Sequence, residues 1–460
     1  MSTEPVRSVS PQAPDEVLGE FARAGARGVA TAVGVAREAS RGWVALGAAG
    51  RSAALMGAAA SLAASREEAI DLIVREVGKP LLEARGEVAR AISILEYYAM
   101  SSFASVGELY PPSIGGLLYS ERRPWGVAGL ITPWNFPLAI PLWKAAPALS
   151  AGNGVVLKPS PLASACAGFL DRLLSEHLPP GLLAVAHGDG EEGSALVETA
   201  DVVSFTGSAA VGRAVAVVAA KRAVPVQCEM GGQNAAIVLP DADPGPTAAM
   251  LAGAAMGYAG QKCTATRRVI VIGPGEEFLE ALAVAVGELV PGAPAAPSTS
   301  VGPVISAAAL ASVNAAIEWA GKDGGTVLAG AGEVPGDGWY ASPTVLSGIA
   351  PSHELAQTET FGPLALVLHA KDLSEAVAIA NAVPFGLVTS LHGRDLDQLL
   401  AGVAECDSGL VKVNAPTTGV DFYAPFGGEK GSSYGPREQG TAALDFYSST
   451  RTITIAAHGG

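Results

Sequence analysis

Short apolar runs alternate with longer stretches of helical period along most of this chain. Between residues 15 and 100 the helical period dominates. Trp43, Leu46, Leu55 and Leu62 recur at roughly helical spacing, and residues 69–77 and 87–98 continue the pattern on either side of Gly78-Lys79-Pro80. Residues three and four apart share a helix face, so this spacing predicts helices with one buried side. The Pro/Gly segment 111–116 ends that region, and residues 117–123 alternate as a strand does. From Val127 the texture changes to brief apolar runs at 127–131, 154–157, 182–186 and 202–205, with helical stretches such as 163–176 and 209–220 between them. Such alternation predicts a parallel sheet with crossover helices on both faces.

A second α/β unit begins near residue 235. Strands at 235–239 and 268–272 flank a helix at 247–257, and a strand at 364–368, a helix at 373–382 and a strand at 410–414 follow. Residues 451–456 alternate Thr and Ile and read as a strand added to another sheet. The fold class expected is α/β. Residues 1–15 mix Glu, Pro, Arg and Ser with no apolar stretch, which reads as a short flexible tail and not a signal peptide.

Composition narrows the function classes. A chain of 460 residues with 49% hydrophobic and 16% charged residues suits a packed protein of two or three domains and argues against disorder. The net charge of −15 argues against nucleic-acid and anionic-membrane partners, which need basic patches. The longest Ala-rich run, 52–65, is too short and too weakly apolar to span a bilayer. The four cysteines form no CxxC and no Cys/His cluster with zinc spacing, so no metal site is expected, and a reducing, cytoplasmic setting is.

Several segments carry chemistry. Cys263 sits in the polar loop Gly260-Gln261-Lys262-Cys263-Thr264, whereas Cys166, Cys228 and Cys406 read as small buried hydrophobes. A thiolate is a strong nucleophile once its pKa is lowered locally. Glu229 lies 34 residues upstream, in Glu229-Met230-Gly231-Gly232. A desolvated carboxylate there would serve as a general base, and a surface Glu at a turn fits the sequence as well. In Thr132-Pro133-Trp134-Asn135-Phe136-Pro137 two prolines fix the backbone around Asn135, whose amide can steady an oxyanion or cap the next helix.

Lys158, Ser160 and Pro161 close a strand in Leu157-Lys158-Pro159-Ser160-Pro161. Nucleotides bind at the C-terminal edge of parallel strands, although a solvated surface lysine is the plain alternative. The run from Phe205 to Gly212, with Gly207 and Ser208 at its turn, opens a helix. Backbone N–H groups at a helix start attract phosphate, and Ser208 as an N-cap explains the run equally well. Glu359 and Phe361 stand in Glu359-Thr360-Phe361-Gly362-Pro363, where a carboxylate before a rigid turn either holds sugar hydroxyls or is structural.

In this order the segments resemble the aldehyde dehydrogenase superfamily, together with Gly302-Pro303, Pro343 to Leu346, Asn414 and Pro425-Phe426-Gly427-Gly428. The resemblance extends from about residue 20 to 450. It is strongest to α-ketoglutarate semialdehyde (2,5-dioxovalerate) dehydrogenases, through Gly126 to Pro137 and Gly427 to Gly440. It implies that Cys263 attacks an aldehyde, that Asn135 and the Cys263 N–H hold the oxyanion, that hydride passes to a nicotinamide, and that Glu229 activates water to hydrolyse the thioester. Lys158 would contact the adenosine ribose and Glu359 the nicotinamide ribose. Thr132, Pro133, Trp134, Ser160, Pro161, Gly207, Ser208, Gly212, Gly231 and Phe361 would complete the cofactor site.

The implied fold is a Rossmann-type cofactor domain (1–112 and 127–235), an α/β catalytic domain (236–441) and a β oligomerisation arm (113–126 and 442–460). Such an arm implies a homodimer or homotetramer. Two departures stand out. Many NAD-preferring relatives carry Glu where Pro161 stands, which tilts the cofactor expectation from NAD toward NADP. Gln233 and Ala235 replace the usual Lys and Pro. A CoA-acylating relative and a catalytically silent binding protein on the same scaffold are the rival readings. Retention of Glu229 favours hydrolysis, and the intact Cys263, Glu229 and Asn135 argue against silence.

Overall fold

In a computed structural model, residues 4–456 are described, apart from 105, 114, 333 and 335. Residues 1–3 of the expected tail, and 114 and 457–460 of the expected arm, lie outside the described residues.

The strands at 127–131, 154–158 and 202–206 are buried along their whole length or nearly so, as their unbroken apolar character requires. They form a six-stranded sheet. Its order in space is Ser433–Tyr434, Val226–Glu229, Val202–Thr206, Val127–Ile131, Gly154–Lys158, Leu183–Val185. All pairings are parallel except that of Ser433–Tyr434. The chain enters at the central strand Val127–Ile131, builds outward to Leu183–Val185, then crosses over to Val202–Thr206 on the other side. A crevice opens where winding reverses in this way, at the C-terminal ends of the strands. The register brings functional positions to that edge: Ile131 pairs with Lys158 on one side and Phe205 on the other, and Thr206 pairs with Glu229.

A seven-stranded sheet holds the second unit, with Arg268–Ile272 between Leu364–Ala370 and Ala235–Val238. It is parallel except for the edge strand Thr326–Gly330. A third, antiparallel sheet pairs Ser448–Ala456 with Gly116–Pro124, which pairs in turn with Leu109–Tyr110.

The helical first region is present as Gly25–Ala45, Gly47–Ala64, Arg66–Val77 and Leu81–Ser101. Gly78 ends the third of these in the left-handed conformation (φ 65°), and Pro80 precedes the fourth. The expectation of a flexible tail and of helix from residue 15 needs correction. Val6–Ser10 and Ala13–Phe21 form an antiparallel hairpin. Its inward side is partly polar: Ser8 and Ser10 are buried, and Ser8 Oγ donates to Glu76 Oε1 at 2.5 Å. The Glu76 carboxylate also accepts the backbone N–H groups of Ala165 (2.6 Å) and Cys166 (2.7 Å), at the start of the helix Ser164–Ser175. The hairpin is thus held by a buried polar anchor that no hydrophobic pattern announces.

Candidate active site

The cysteine loop is shaped by unusual backbone. After the helix Pro244–Met256, Tyr258, Ala259 and Gly260 all take positive φ (54°, 51° and 66°). Two of the three are not glycine, a conformation that persists only when its surroundings hold it. Here the Tyr258 hydroxyl donates to Val77 O at 3.0 Å. Arg267, fully buried, donates to the carbonyls of Gly260 and Gly362 and so ties the loop to the Phe361 turn. A Cβ on Gly260 would lie 2.2 Å from Gly362 O, so only glycine permits that approach. Gln261 is also buried. Its side chain donates to Tyr258 O and Pro303 O and accepts from the Ile305 N–H. Asn234 fixes the far side, with Nδ2 donating to Cys263 O and Ala265 O at 2.8 Å each and Oδ1 accepting the Val388 N–H.

Asn135 faces this loop. Its Nδ2 donates to Gln261 O at 2.9 Å, and its side chain is buried. An amide nitrogen carries two hydrogens, so one donor remains for an oxygen lodged near Cys263. The turn that carries Asn135 is itself anchored, because the Glu87 carboxylate accepts the N–H groups of Leu138 (3.0 Å) and Ala139 (3.1 Å). Glu87 pairs in turn with Lys79, and both are buried.

Cys263, Asn135, Trp134, Pro133, Gly207, Ser208, Gly231, Glu359 and Phe361 all line one cavity of about 260 Å³. Trp134 and Phe361 form its aromatic wall, ring edge to ring face, 5.7 Å between centroids. The cavity continues into a larger cleft of about 430 Å³ at the reversal point of the first sheet, lined by Thr132, Lys158, Ser160 and Pro161. Pro133, Trp134, Thr206, Gly207 and Ser208 line both. Thirteen of the fifteen sequence-predicted site residues therefore line one continuous space, and Glu229 pairs with Thr206 and precedes Met230, both of which line it. Gly212 does not reach it: a Cβ there would strike Met230 Sδ at 2.6 Å, so this glycine serves the packing of the helix Ala209–Arg222. Ser208 caps that helix, accepting from the Val211 N–H, and also lines the cleft.

Glu229 is buried at the end of its strand, with Oε2 accepting from Ser433 Oγ at 2.6 Å. Burial pushes its carboxyl well above the usual range, and the nearby Glu438 adds to the effect. The Ser433 hydrogen bond and the Lys144 and Arg437 charges oppose it. Glu438 is held in the interior by Lys144 and by Trp143 Nε1 at 2.8 Å. Burial likewise raises Glu359 to about 7, against the pull of Arg267 and the Gly232 N–H. The Cys263 thiol is pushed up to about 12, by burial first and then by the charges of Glu359, Glu229 and Glu438. In the free protein, therefore, Cys263 is a thiol at neutral pH. Its alkylation by iodoacetamide, followed on the Cys263 peptide by mass spectrometry, should accelerate about tenfold per pH unit from 7 to 9. A plateau below pH 9 would show that the thiolate forms far more easily than this environment dictates.

Sequence reading missed Thr206, Met230, Ile140, Asp189, Ser433 and the Lys144–Glu438 pair. Only Asp189 left a usable signal, in Gly188-Asp189-Gly190 just past the strand Leu183–Val185. Three arginines that could meet an acidic substrate have partners within the protein. Arg122 pairs with Asp445, Arg267 donates through its two terminal nitrogens to two carbonyls, and Arg437 binds Gly428 O and Glu429.

The two cavities suit an extended dinucleotide. Thr132 Oγ1 and Thr206 Oγ1, both on the walls, are buried with no hydrogen-bond partner among the described residues. No group of three or more His, Cys, Asp or Glu able to hold a metal exists among the described residues. Nor is any helix among them long and apolar enough to cross a membrane.

Comparison with known proteins agrees with this geometry. The family model described as the aldehyde dehydrogenase family matches residues 1–453. The alpha-ketoglutaric semialdehyde dehydrogenase of Bacillus subtilis (strain 168) is 36% identical over 464 residues, covering 99% of this chain and 95% of that protein. The alpha-ketoglutarate semialdehyde dehydrogenase of Haloferax volcanii is 38% identical, covering 98% and 95%. The crystal structure of an NAD-dependent aldehyde dehydrogenase from Sinorhizobium meliloti superposes with a TM-score of 0.95 at 33% identity, over 99% of this chain and 92% of that one. A thiol, an amide and a carboxylate gathered beside a Rossmann-type crevice, in a chain matched from end to end by these relatives, place the protein in the aldehyde dehydrogenase family.

Proposed function

We propose that this protein oxidises an aldehyde to a carboxylic acid through a covalent intermediate on Cys263, with a semialdehyde such as α-ketoglutarate semialdehyde as its substrate. The single observation that carries the reading is that Cys263 and Asn135 share the wall of a cavity continuous with the crevice at the sheet's reversal point. The substrate assignment rests on the two semialdehyde dehydrogenases at 36% and 38% identity. Domain limits near residues 112, 127, 235 and 441 belong to the same reading, with the sheets described above as their support.

The chemistry follows from the side chains. Cys263 gives up its thiol proton to solvent water, its Sγ adds as the thiolate to the aldehyde carbon, and the free Nδ2 hydrogen of Asn135 meets the oxygen that takes up the C=O electron pair. Lys158, Thr132, Ser160 and the Gly207-Ser208 turn would hold a nicotinamide dinucleotide in the larger cleft, and Glu359 and Phe361 its nicotinamide end. When bound, that group supplies the hydride acceptor. The acyl group then remains on Cys263 as a thioester. Glu229, once ionised, takes the proton of an attacking water, and the acid leaves. Its raised pKa makes it a better base near neutral pH than an ordinary carboxylate.

Among the described residues the strand Ser448–Ala456 has a single neighbour in its sheet, Gly116–Pro124, and Ile455 on it is exposed. We propose that this edge extends a sheet of a second copy, giving a homodimer or homotetramer.

The test is a panel of aldehydes that includes α-ketoglutarate semialdehyde, succinate semialdehyde and aliphatic and aromatic examples, run with NAD+ and NADP+, with and without coenzyme A. Free acid is expected as product, with the highest kcat/KM for a semialdehyde. Acyl-CoA as the main product would replace the hydrolytic reading with the acylating one. Absence of NAD(P)H formation with every aldehyde would remove the function altogether.

A further inference from the structure

The larger cleft has two chemically different ends. One opens into the Cys263 cavity, where a hydride acceptor has to lie. The other is bounded by Lys158, Ser160, Pro161, Asp189 and Gly190, so the adenosine end of a dinucleotide lodges there. NAD and NADP differ only at that end, by a phosphate on the adenosine ribose. Pro161 offers no charge to tell them apart, and Lys158, nearly buried, attracts either ribose oxygens or phosphate.

Asp189 changes this balance. It is the sole carboxylate among the described residues lining the cleft. It stands at the N-cap of the helix Gly190–Thr199, and its own backbone N–H is taken by Glu192 Oε2 at 2.7 Å, which fixes the turn. Asp189 and Lys158 feel each other's charge, since Asp189 is the foremost acidic influence favouring the Lys158 ammonium against burial. Yet no hydrogen bond or ion pair joins them among the described residues. The second acid nearby, Glu192, is buried, and its oxygens are already engaged by the N–H groups of Asp189 and Gly25 and by Arg23 at 3.6 Å. A carboxylate and an ammonium therefore line one cleft with no bond between them, and either can meet the hydroxyls of a ring lodged there.

We propose that Asp189 is the residue that discriminates between the dinucleotides, performing from the neighbouring loop the task that Pro161 cannot, so that the protein favours NAD over NADP. Its carboxylate accepts hydrogen bonds from the adenosine ribose hydroxyls of NAD and repels the phosphate that NADP carries on the 2′ oxygen. This outweighs the NADP tilt that Pro161 alone suggests, because it restores a negative charge to the same pocket. The inference rests on the dinucleotide reading given above.

Equilibrium binding of NAD+ and NADP+, followed by quenching of intrinsic fluorescence, tests it without requiring a known aldehyde. Asp189→Asn keeps an N-cap side chain while removing the charge. The wild type should bind NAD+ more tightly. Asp189→Asn should shift the ratio of the two dissociation constants toward NADP+ by about tenfold or more. Adding Pro161→Glu to that variant should move the ratio back toward NAD+. A ratio in Asp189→Asn within about twofold of the wild type, or a wild type that prefers NADP+, overturns the inference and leaves the dinucleotide reading standing. Binding of neither dinucleotide to the wild type overturns both.

Discussion

Cys263→Ala should abolish aldehyde oxidation, lowering kcat by at least about 10⁴-fold, because no other thiol can take its place. Cys228 is one residue from Glu229 on the same strand, so its side chain points to the opposite face, where Sγ meets Gly212 O at 3.5 Å. Cys166 is buried at the start of a helix beside Glu76, and Cys406 lies past the helix Leu396–Glu405 in the second unit. Neither lines the cavity. The loop that carries Cys263 is held by Arg267, Gln261 and Asn234 through bonds to backbone, not to the sulfur. Removing Sγ therefore leaves the loop and the dinucleotide cleft intact. Steady-state kinetics with a dinucleotide titration separates the two effects: turnover should vanish while the dissociation constant stays within about threefold. Retention of a tenth of the activity would remove covalent catalysis from the reading.

Much of this architecture is legible in the chain because parallel strands buried on both faces must be apolar throughout. Arg268–Ile272 appears in the structure with the limits its pattern predicts, and Val127–Ile131 likewise. The strand Val388–His392 was not legible, because Thr389, Ser390 and His392 are polar yet buried. The N-terminal hairpin was missed for a related reason: its anchor is Ser8 on Glu76. Ala-rich helices such as Ala307–Lys322 also went unread, since alanine contrasts weakly with its neighbours on either face.

At the site, Cys263, Glu229 and Asn135 stand out as candidates in the sequence because each lies among residues that restrict the backbone locally. Their supports were not. Ser433 reaches Glu229 from 204 positions away, and Glu438 meets Lys144 across 294. Sheet pairing brings Ser433 opposite Glu229, and no local pattern encodes that register. Asp189 was hidden differently. Its Gly-Asp-Gly setting marks a turn, but an aspartate at a helix start is also explained by capping, and only the fold brings it to the same cleft as Lys158.

Glu229→Gln separates the two halves of the reaction. The first half of the reaction needs the Cys263 thiolate, the oxyanion donor and the hydride acceptor, none of which the substitution removes. Glutamine keeps the size of glutamate and can still accept from Ser433 Oγ, so the strand end should hold its place. What is lost is a group that can receive a proton from water. The thioester should therefore form at a near-normal rate and then persist. In rapid mixing, the first turnover should give a burst of reduced dinucleotide approaching one equivalent per site. The steady rate after the burst should fall by about 10²- to 10⁴-fold, the range a general base contributes. The wild type carries its own signature: because burial and Glu438 raise the Glu229 pKa, deacylation should lose rate as pH falls through that raised value, well above the range of an ordinary carboxylate. Glu229→Gln should show no such acid limb. A variant that turned over steadily at the wild-type rate would transfer the role of base to another group, and the burst alone, without the slow phase, would place the limiting step elsewhere.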